Sequence, residues 1–252
     1  AISYWGAKHI AIISRRTLPE RSNWERILQD SEQYDSKDIQ VIRRLLEIEK
    51  LGSRIHLYSG DITDLGRVDE IIKDCVSKFG KINGIFQCTG VGVGKNGISI
   101  SMGNDIMLYN SIASKITGTC NMLEAANRFT YDFFMVLSSP ISVTGGVNSS
   151  GYIAANAFLD TLADYGQNRN KNILVLSLAP YEKTIRQYDT EFNQEMHLFQ
   201  SMDTRSILRA LKDALAQPGG YMLAGKLNYG SKLFQMKEIL PFRFSLEILE
   251  EN

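Results

Sequence analysis

The stretch "SSGYIAANAFLD" (149–160) sets a phenol and a carboxamide, Tyr152 and Asn156, four residues apart among small and apolar neighbours. Residues at that spacing share one helix face, so the two groups meet the same surroundings. A phenol can give or take a proton. With a pKa of about 10 it is a poor acid–base group near neutrality unless a nearby cation favours its ionised form. Packing is the plainer explanation, since Tyr is a common half-buried core residue and Asn bonds locally. On this stretch alone packing is the better account. A second place for chemistry lies near the start, where "HIAIIS" (9–14) runs directly into Arg15 and Arg16 with no acidic residue at the turn. Two planar guanidinium forks suit phosphate oxygens. In isolation a solvated pair of charges explains them equally well.

The elements that must position these groups follow from the apolar pattern. Short runs rich in Val, Ile, Leu and Phe at 9–14, 54–60, 82–88, 132–138 and 172–178 read as buried strands. Amphipathic stretches at 67–79, roughly 104–128, 150–168 and 203–217 read as helices between them. Apolar strands alternating with helices predict a doubly wound parallel sheet covered on both faces. Such sheets bind ligands at the carboxyl ends of their strands. Two features interrupt the alternation. Residues 18–52 form a charged insertion with two helical patterns, the first capped by Ser22 or Asn23 and the second ending at Gly52. The C-terminal "LPFRFSLEILEEN" alternates Phe242, Phe244, Leu246 and Ile248 like an additional strand. There are no internal repeats and no low-complexity linker.

Composition narrows the function classes. The 252 residues are 44% hydrophobic and 22% charged, an ordinary globular composition with enough length for one large domain. Lys and Arg (28) balance Asp and Glu (28), so no net field attracts nucleic acid or an anionic membrane, and neither is expected as a partner. No apolar run approaches the ~18–20 residues of a membrane span, and no signal-peptide pattern opens the sequence. Cys75, Cys88 and Cys120 lack ligand or CxxC spacing and read as reduced thiols of a cytoplasmic protein. His9, His56 and His197 are scattered and read as structural or exposed, so no metal site is expected.

Six segments in order carry a family resemblance: "GAKHIAIISRR", "SGDITD", "GIFQCTGV", "SKITGTCNM", "DFFMVLSSP" and "GYIAANAFLD". Over roughly residues 4–230 the chain resembles the ketoreductase domains of modular polyketide synthases and of depsipeptide synthetases, within the short-chain dehydrogenase/reductase superfamily. The resemblance implies a Rossmann-like fold and a catalytic set of Lys115, Ser139, Tyr152 and Asn156. Most members of the superfamily carry Lys four residues after the Tyr. Here Asn156 holds that position and Lys115, on the preceding long helix, matches the site that supplies the lysine in these ketoreductases. By the same resemblance Ser14, Arg15, Arg16, Asp61, Ile62, Thr89, Gly90, Lys115 and Tyr152 face a nicotinamide cofactor. Arg15 contacts a 2′-phosphate, while Arg16 stacks on adenine or points to solvent. Gly90 permits close backbone approach to the cofactor. The expected cofactor is NADPH, because no acidic residue follows the second strand of the fold to bond a free ribose hydroxyl.

The resemblance has gaps. The family's first strand and glycine-rich turn, which face the pyrophosphate, are missing before "AISYWG". The expectation is that this segment exists outside the given residues, since removing a central strand would bare the edges of both neighbours. The substrate-side "SLAPYEK" replaces a pattern like "NWGPW", "VGVGKNG" lacks an "LDD" marker, and Thr144 stands where one subclass has Trp, so the product's hand is open. The expected division is a ketoreductase domain over 1–230 and a C-terminal extension over 231–252, an extra strand or a link to the next domain. The expected reaction is NADPH-dependent reduction of a ketoacyl thioester on a phosphopantetheinyl carrier protein, beside neighbouring domains of one megasynthase. Both α-keto and β-keto substrates fit. The alternatives are a catalytically silent structural copy, against which the intact four-residue set argues, and a free-standing dehydrogenase, against which the Lys/Asn exchange argues.

Overall fold

The computed structural model describes residues 2–30, 34–90, 105–184 and 193–240. It divides into two compact units, residues 1–81 with 121–129, and residues 82–120 with 130–252.

In the first unit β1 (His9–Ser14) and β2 (Arg54–Ser59) pair in parallel, from His9 opposite Arg54 to Ser14 opposite Ser59. The insertion between them forms α1 (Trp24–Gln29) and α2 (Ser36–Lys50). It is charged only on its outer side. Trp24, Ile27, Ile39, Ile42 and Leu45 are buried together, with Ile12 of β1 and Ile55 of β2 against them. Each such side chain contributes about 1.5–3 kcal/mol on leaving water, which is what fixes the insertion. Neither Ser22 nor Asn23 caps α1 through its side chain; the Trp24 indole instead donates to the Pro19 carbonyl at 2.8 Å. Asp35 caps α2 by accepting from the Lys37 amide, and α2 gives way to Gly52 at φ +93, as the sequence predicts. Helix α3 (Leu65–Phe79) is capped by Asp64 and stops at Gly80.

In the second unit β3 (Gly84–Gln87), β4 (Phe133–Ser138), β5 (Ile173–Leu178) and β6 (Gly220–Ala224) form a parallel sheet in that order. The predicted parallel α/β architecture is therefore present. Strand β6 was not among the expected strands; it opens at Gly220, directly after Gly219, both at positive φ, and its five residues pair with Leu174–Leu178 of β5. The rest of the unit comprises α4 (Asp105–Ile112), α5 (Thr117–Ala126, shared with the first unit), α6 (Ile141–Thr144), α7 (Ser150–Asp160), α8 (Leu162–Asn168), α9 (Thr204–Leu215) and α10 (Lys232–Gln235). Met135, Leu174 and Leu176 pack against Leu211 and Ala214 of α9. The alternate positions Phe134, Val136, Ile173 and Val175 are equally buried and point to the opposite face. Helices α7 and α8 lie against these strands, with Gly166 so close to Ile173 that a Cβ there would sit 2.8 Å from it.

The single helix expected over 104–128 is two helices. Between them the Gly118 amide reaches back five residues to the Ala113 carbonyl at 2.9 Å, a wide π-type turn. Lys115 lies in this turn rather than in a continuous helix. The strand expected near the C-terminus, at Phe242–Ile248, lies outside the described residues, as does the "VGVGKNG" segment.

Candidate active site

Four chemistry-bearing side chains gather at the carboxyl end of β4 in the second unit. Strand β4 delivers Ser138 and then Ser139, and Pro140 turns the chain into α6. Helix α7 crosses β4 and carries Tyr152 and Asn156 one turn apart. The wide turn after α4 brings in Lys115, whose Nζ donates to the Leu137 carbonyl at 3.1 Å and stands 5.6 Å from the centre of the Tyr152 ring. At that distance an ammonium is attracted to the ring face.

Lys115 is only 6% exposed, although it is a charged residue. Burial pulls its ammonium down to about 8, while Cys88 and Asp160 pull the other way. Burial likewise raises the Tyr152 phenol, opposed by hydrogen bonding from Ser139 and Asn156, which favours the ionised form. Asn156 is completely buried. Its Nδ2 donates to the Tyr152 carbonyl at 2.7 Å, and its Oδ1 has no partner among the described residues. A buried acceptor without a donor is costly unless something else in the working site fills it.

Gly90 lies against the Lys115 stem. A Cβ at Gly90 would stand 2.7 Å from Lys115 Cε, so the missing side chain makes room for the lysine stem. The lysine turn is also held from below by residues the sequence reading missed. Gln87 is buried at the end of β3, and its Nε2 donates to Ser114 O at 3.2 Å and to Thr119 Oγ1 at 2.9 Å. Its Oε1 accepts from the Thr89 amide at 3.0 Å and the Thr89 hydroxyl at 2.9 Å. Thr119 in turn donates to the Lys115 carbonyl. Thr89 is thus engaged in supporting Lys115. The available signal was a long amide in an otherwise apolar strand, "GIFQC". A cleft of about 450 Å³ past the ends of β5 and β6 is lined by Glu182, Met202, Asp203 and Lys226 among others, but by none of the four catalytic candidates.

The other cofactor-side candidates gather in the first unit, at the carboxyl ends of β1 and β2. Ser14 Oγ accepts from the Arg16 amide at 3.0 Å. Arg15 is three-quarters exposed, with a guanidinium nitrogen 3.9 Å from Asp61 Oδ2. Arg16 is partly exposed and paired with two carboxylates. Its Nε and a terminal nitrogen bind Asp38 at 2.5 Å and Asp35 at 3.0 Å, tying the turn to the start of α2. Asp61 Oδ1 closes its own turn by accepting from the Thr63 amide and hydroxyl at 2.9 and 2.8 Å, which holds its carboxyl below the usual range. Ile62 is buried, and its carbonyl accepts from Asn121 Nδ2 at 3.0 Å.

Each unit by itself carries groups that suit one part of a nicotinamide cofactor. Arg15 presents an exposed guanidinium where no acidic side chain follows the strand. Asn156 Oδ1 and the spare N–H donors of the Lys115 ammonium offer hydrogen bonds in the catalytic cluster.

Comparison with known proteins places the geometry in context. The family model described as the KR domain matches residues 2–183. The polyketide synthase PksN of Bacillus subtilis is 30% identical over 141 residues, covering 56% of this chain and 2% of that protein. The 6-methylsalicylic acid synthase of Penicillium patulum is 28% identical over 170 residues, covering 64% of this chain and 8% of that protein. The chain thus spans a small fraction of the length of these relatives. Among solved structures, one described as an A-type ketoreductase from a modular polyketide synthase aligns with a TM-score of 0.75 at 18% identity, over 96% of this chain and 46% of that one.

Proposed function

Since the chain belongs to the KR-domain family, we propose that it is the ketoreductase of a polyketide-type megasynthase, reducing a carrier-bound ketoacyl thioester with NADPH. The observation that carries this reading is the buried Lys115 ammonium facing the Tyr152 ring beside Ser139. Nothing in the packing of α7 against β4 calls for a charged amine there.

A bound reduced nicotinamide supplies the hydride; the protein supplies position, proton and field. As the hydride adds, negative charge grows on the ketone oxygen. Tyr152 gives that oxygen its proton, and the Ser139 hydroxyl donates a second hydrogen bond. The phenolate left behind is stabilised by the Lys115 ammonium, which lies close in a poorly solvated setting where charge counts for more than in water. Asn156 offers its buried Oδ1 to the lysine or to a water that returns the proton. The carrier protein brings the substrate as a thioester, and the neighbouring domains belong to the same synthase.

The pH dependence follows from the burial. Reduction needs Lys115 charged and Tyr152 protonated. The raised phenol stays protonated throughout the neutral range, so the lysine sets the alkaline limit. The turnover number, measured from about pH 6 to about pH 10, is expected to fall as pH rises through about 8. A flat profile to the upper end would remove Lys115 from the mechanism.

Cofactor choice rests on Arg15, because Arg16 is held by Asp35 and Asp38. Arg15→Ala is expected to lower kcat/KM for NADPH about 10–100-fold, the worth of a charge-assisted phosphate contact, with little effect on NADH. The comparison uses protein that includes the family's glycine-rich segment. Equal use of the two cofactors by the wild type would overturn the NADPH assignment. A preference that survives the mutation would move it to another residue.

A further inference from the structure

Helix α7 carries a third polar group on the face of Tyr152 and Asn156. Asp160 follows Asn156 by four residues and ends the helix. Its carboxylate is engaged on both oxygens. Ser138 Oγ donates to Oδ1 at 2.5 Å, and Ser142 Oγ lies 2.6 Å from Oδ2. These two serines flank Ser139. The hold is reinforced where Ser142 Oγ stands 3.0 Å from the Ser139 carbonyl and Ser138 Oγ 3.4 Å from the Asn156 carbonyl. The residue before Ser138, Leu137, is the one whose carbonyl receives Lys115.

We propose that Asp160 is the positioning residue of this centre: its carboxylate clasps Ser138 and Ser142 to α7, so that Ser139 between them meets the Tyr152 hydroxyl, and its negative charge faces the Lys115 ammonium. The inference rests on the ketoreductase reading of the same site. Two hydroxyl groups bonded to one carboxylate leave little freedom for the strand end, because each charge-assisted bond is short and directional. A single rotamer of Asp160 thus fixes the distance between β4 and α7. Among the described residues the titratable groups facing Lys115 are Cys88 after β3 and Tyr152 and Asp160 of α7. Of these, Asp160 is the carboxyl group, and its charge favours the ammonium.

Three proteins test this: Asp160→Asn, which keeps the shape but loses the charge, Ser142→Ala, which keeps the charge but loosens the clasp, and wild type. Two readouts are taken. One is kcat with its pH profile. The other is the Lys115 titration midpoint from carbon-13 NMR of lysine-labelled protein without cofactor, its signal identified by loss in Lys115→Met. Asp160→Asn is expected to lower kcat at least ~10-fold with KM for NADPH within about 2-fold, and to move both the alkaline limb and the NMR midpoint down by at least ~0.5 pH unit. Ser142→Ala is expected to lower kcat several-fold, with the midpoint unchanged. A merely structural aspartate would leave the midpoint where it is. Wild-type kcat or a wild-type midpoint in Asp160→Asn overturns the proposal. If Asp160→Asn does not fold, an unchanged kcat in Ser142→Ala overturns it instead. A wild type without turnover refutes the ketoreductase reading, and the NMR midpoint then decides the role of Asp160 by itself.

Discussion

Tyr152→Phe is expected to fold like the wild type and to reduce a ketoacyl thioester surrogate about 10²–10⁴-fold more slowly, the usual worth of a positioned proton donor. The substitution removes one oxygen and leaves the ring, so the face presented to Lys115 Nζ, 5.6 Å from the ring centre, stays in place. Asn156 Nδ2 also bonds the Tyr152 backbone carbonyl, and this contact survives the substitution. Purified proteins compared by turnover and by melting temperature check the point. A variant that melts normally and keeps full activity would take Tyr152 out of the mechanism.

Lys115→Met is expected to change activity and stability in opposite directions. Turnover should fall about 10²-fold or more, because the phenolate loses its cation. The double variant with Tyr152→Phe should be little worse than the poorer single variant, since groups that act as a unit do not lose rate independently. Stability should rise. Burial takes the ammonium from the ordinary 10.5 to about 8, so the folded state holds this proton less tightly than the unfolded state. Below about 8 the lysine is charged in both states, and the folded protein bears the full cost, about 3 kcal/mol. Between 8 and 10.5 the unfolded chain binds the extra proton, so wild-type stability rises with pH, and above that range the penalty is gone. Methionine fills the same space without charge, so Lys115→Met should be more stable by about 1–3 kcal/mol at neutral pH, with the gain vanishing towards pH 10.5. Denaturant melts at neutral and at high pH measure it. A variant less stable than wild type at neutral pH would show that the ammonium is better paired than its burial implies.

The strands whose apolar runs are longest were legible in the sequence. Runs 9–14, 54–60, 82–88, 132–138 and 172–178 all became strands; β4 and β5 are both paired and buried, whereas β1 and β2, expected to be buried, are paired but half-buried to exposed. Strand β6 was not legible, since its neighbour β5 supplies the pairing that its own glycine-flanked residues do not advertise. The break between α4 and α5 was hidden for the opposite reason. Apolar residues continue through it, and a one-residue widening of the hydrogen-bond ladder leaves no mark on composition. Within the site, Tyr152, Asn156, Ser139 and Lys115 were readable by resemblance, and the structure brings them together. Gln87 and Asp160 were not singled out, because their importance lies in which backbone and hydroxyl groups they hold. The pairing of Arg16 was not legible for a related reason: its partners Asp35 and Asp38 are about twenty residues away in the sequence.

The buried amide of Gln87 also has a consequence for how such a domain can drift in sequence. Its two ends satisfy Ser114, Thr119 and Thr89 at once. Glutamate would lose the donors, leucine would lose every one of these bonds, and asparagine would not reach as far. No single substitution at this position is therefore close to neutral while the Lys115 turn is kept. Change has to pass through a paired replacement of Gln87 with Thr119 or Thr89, so descendants that retain the lysine should vary at these three positions together.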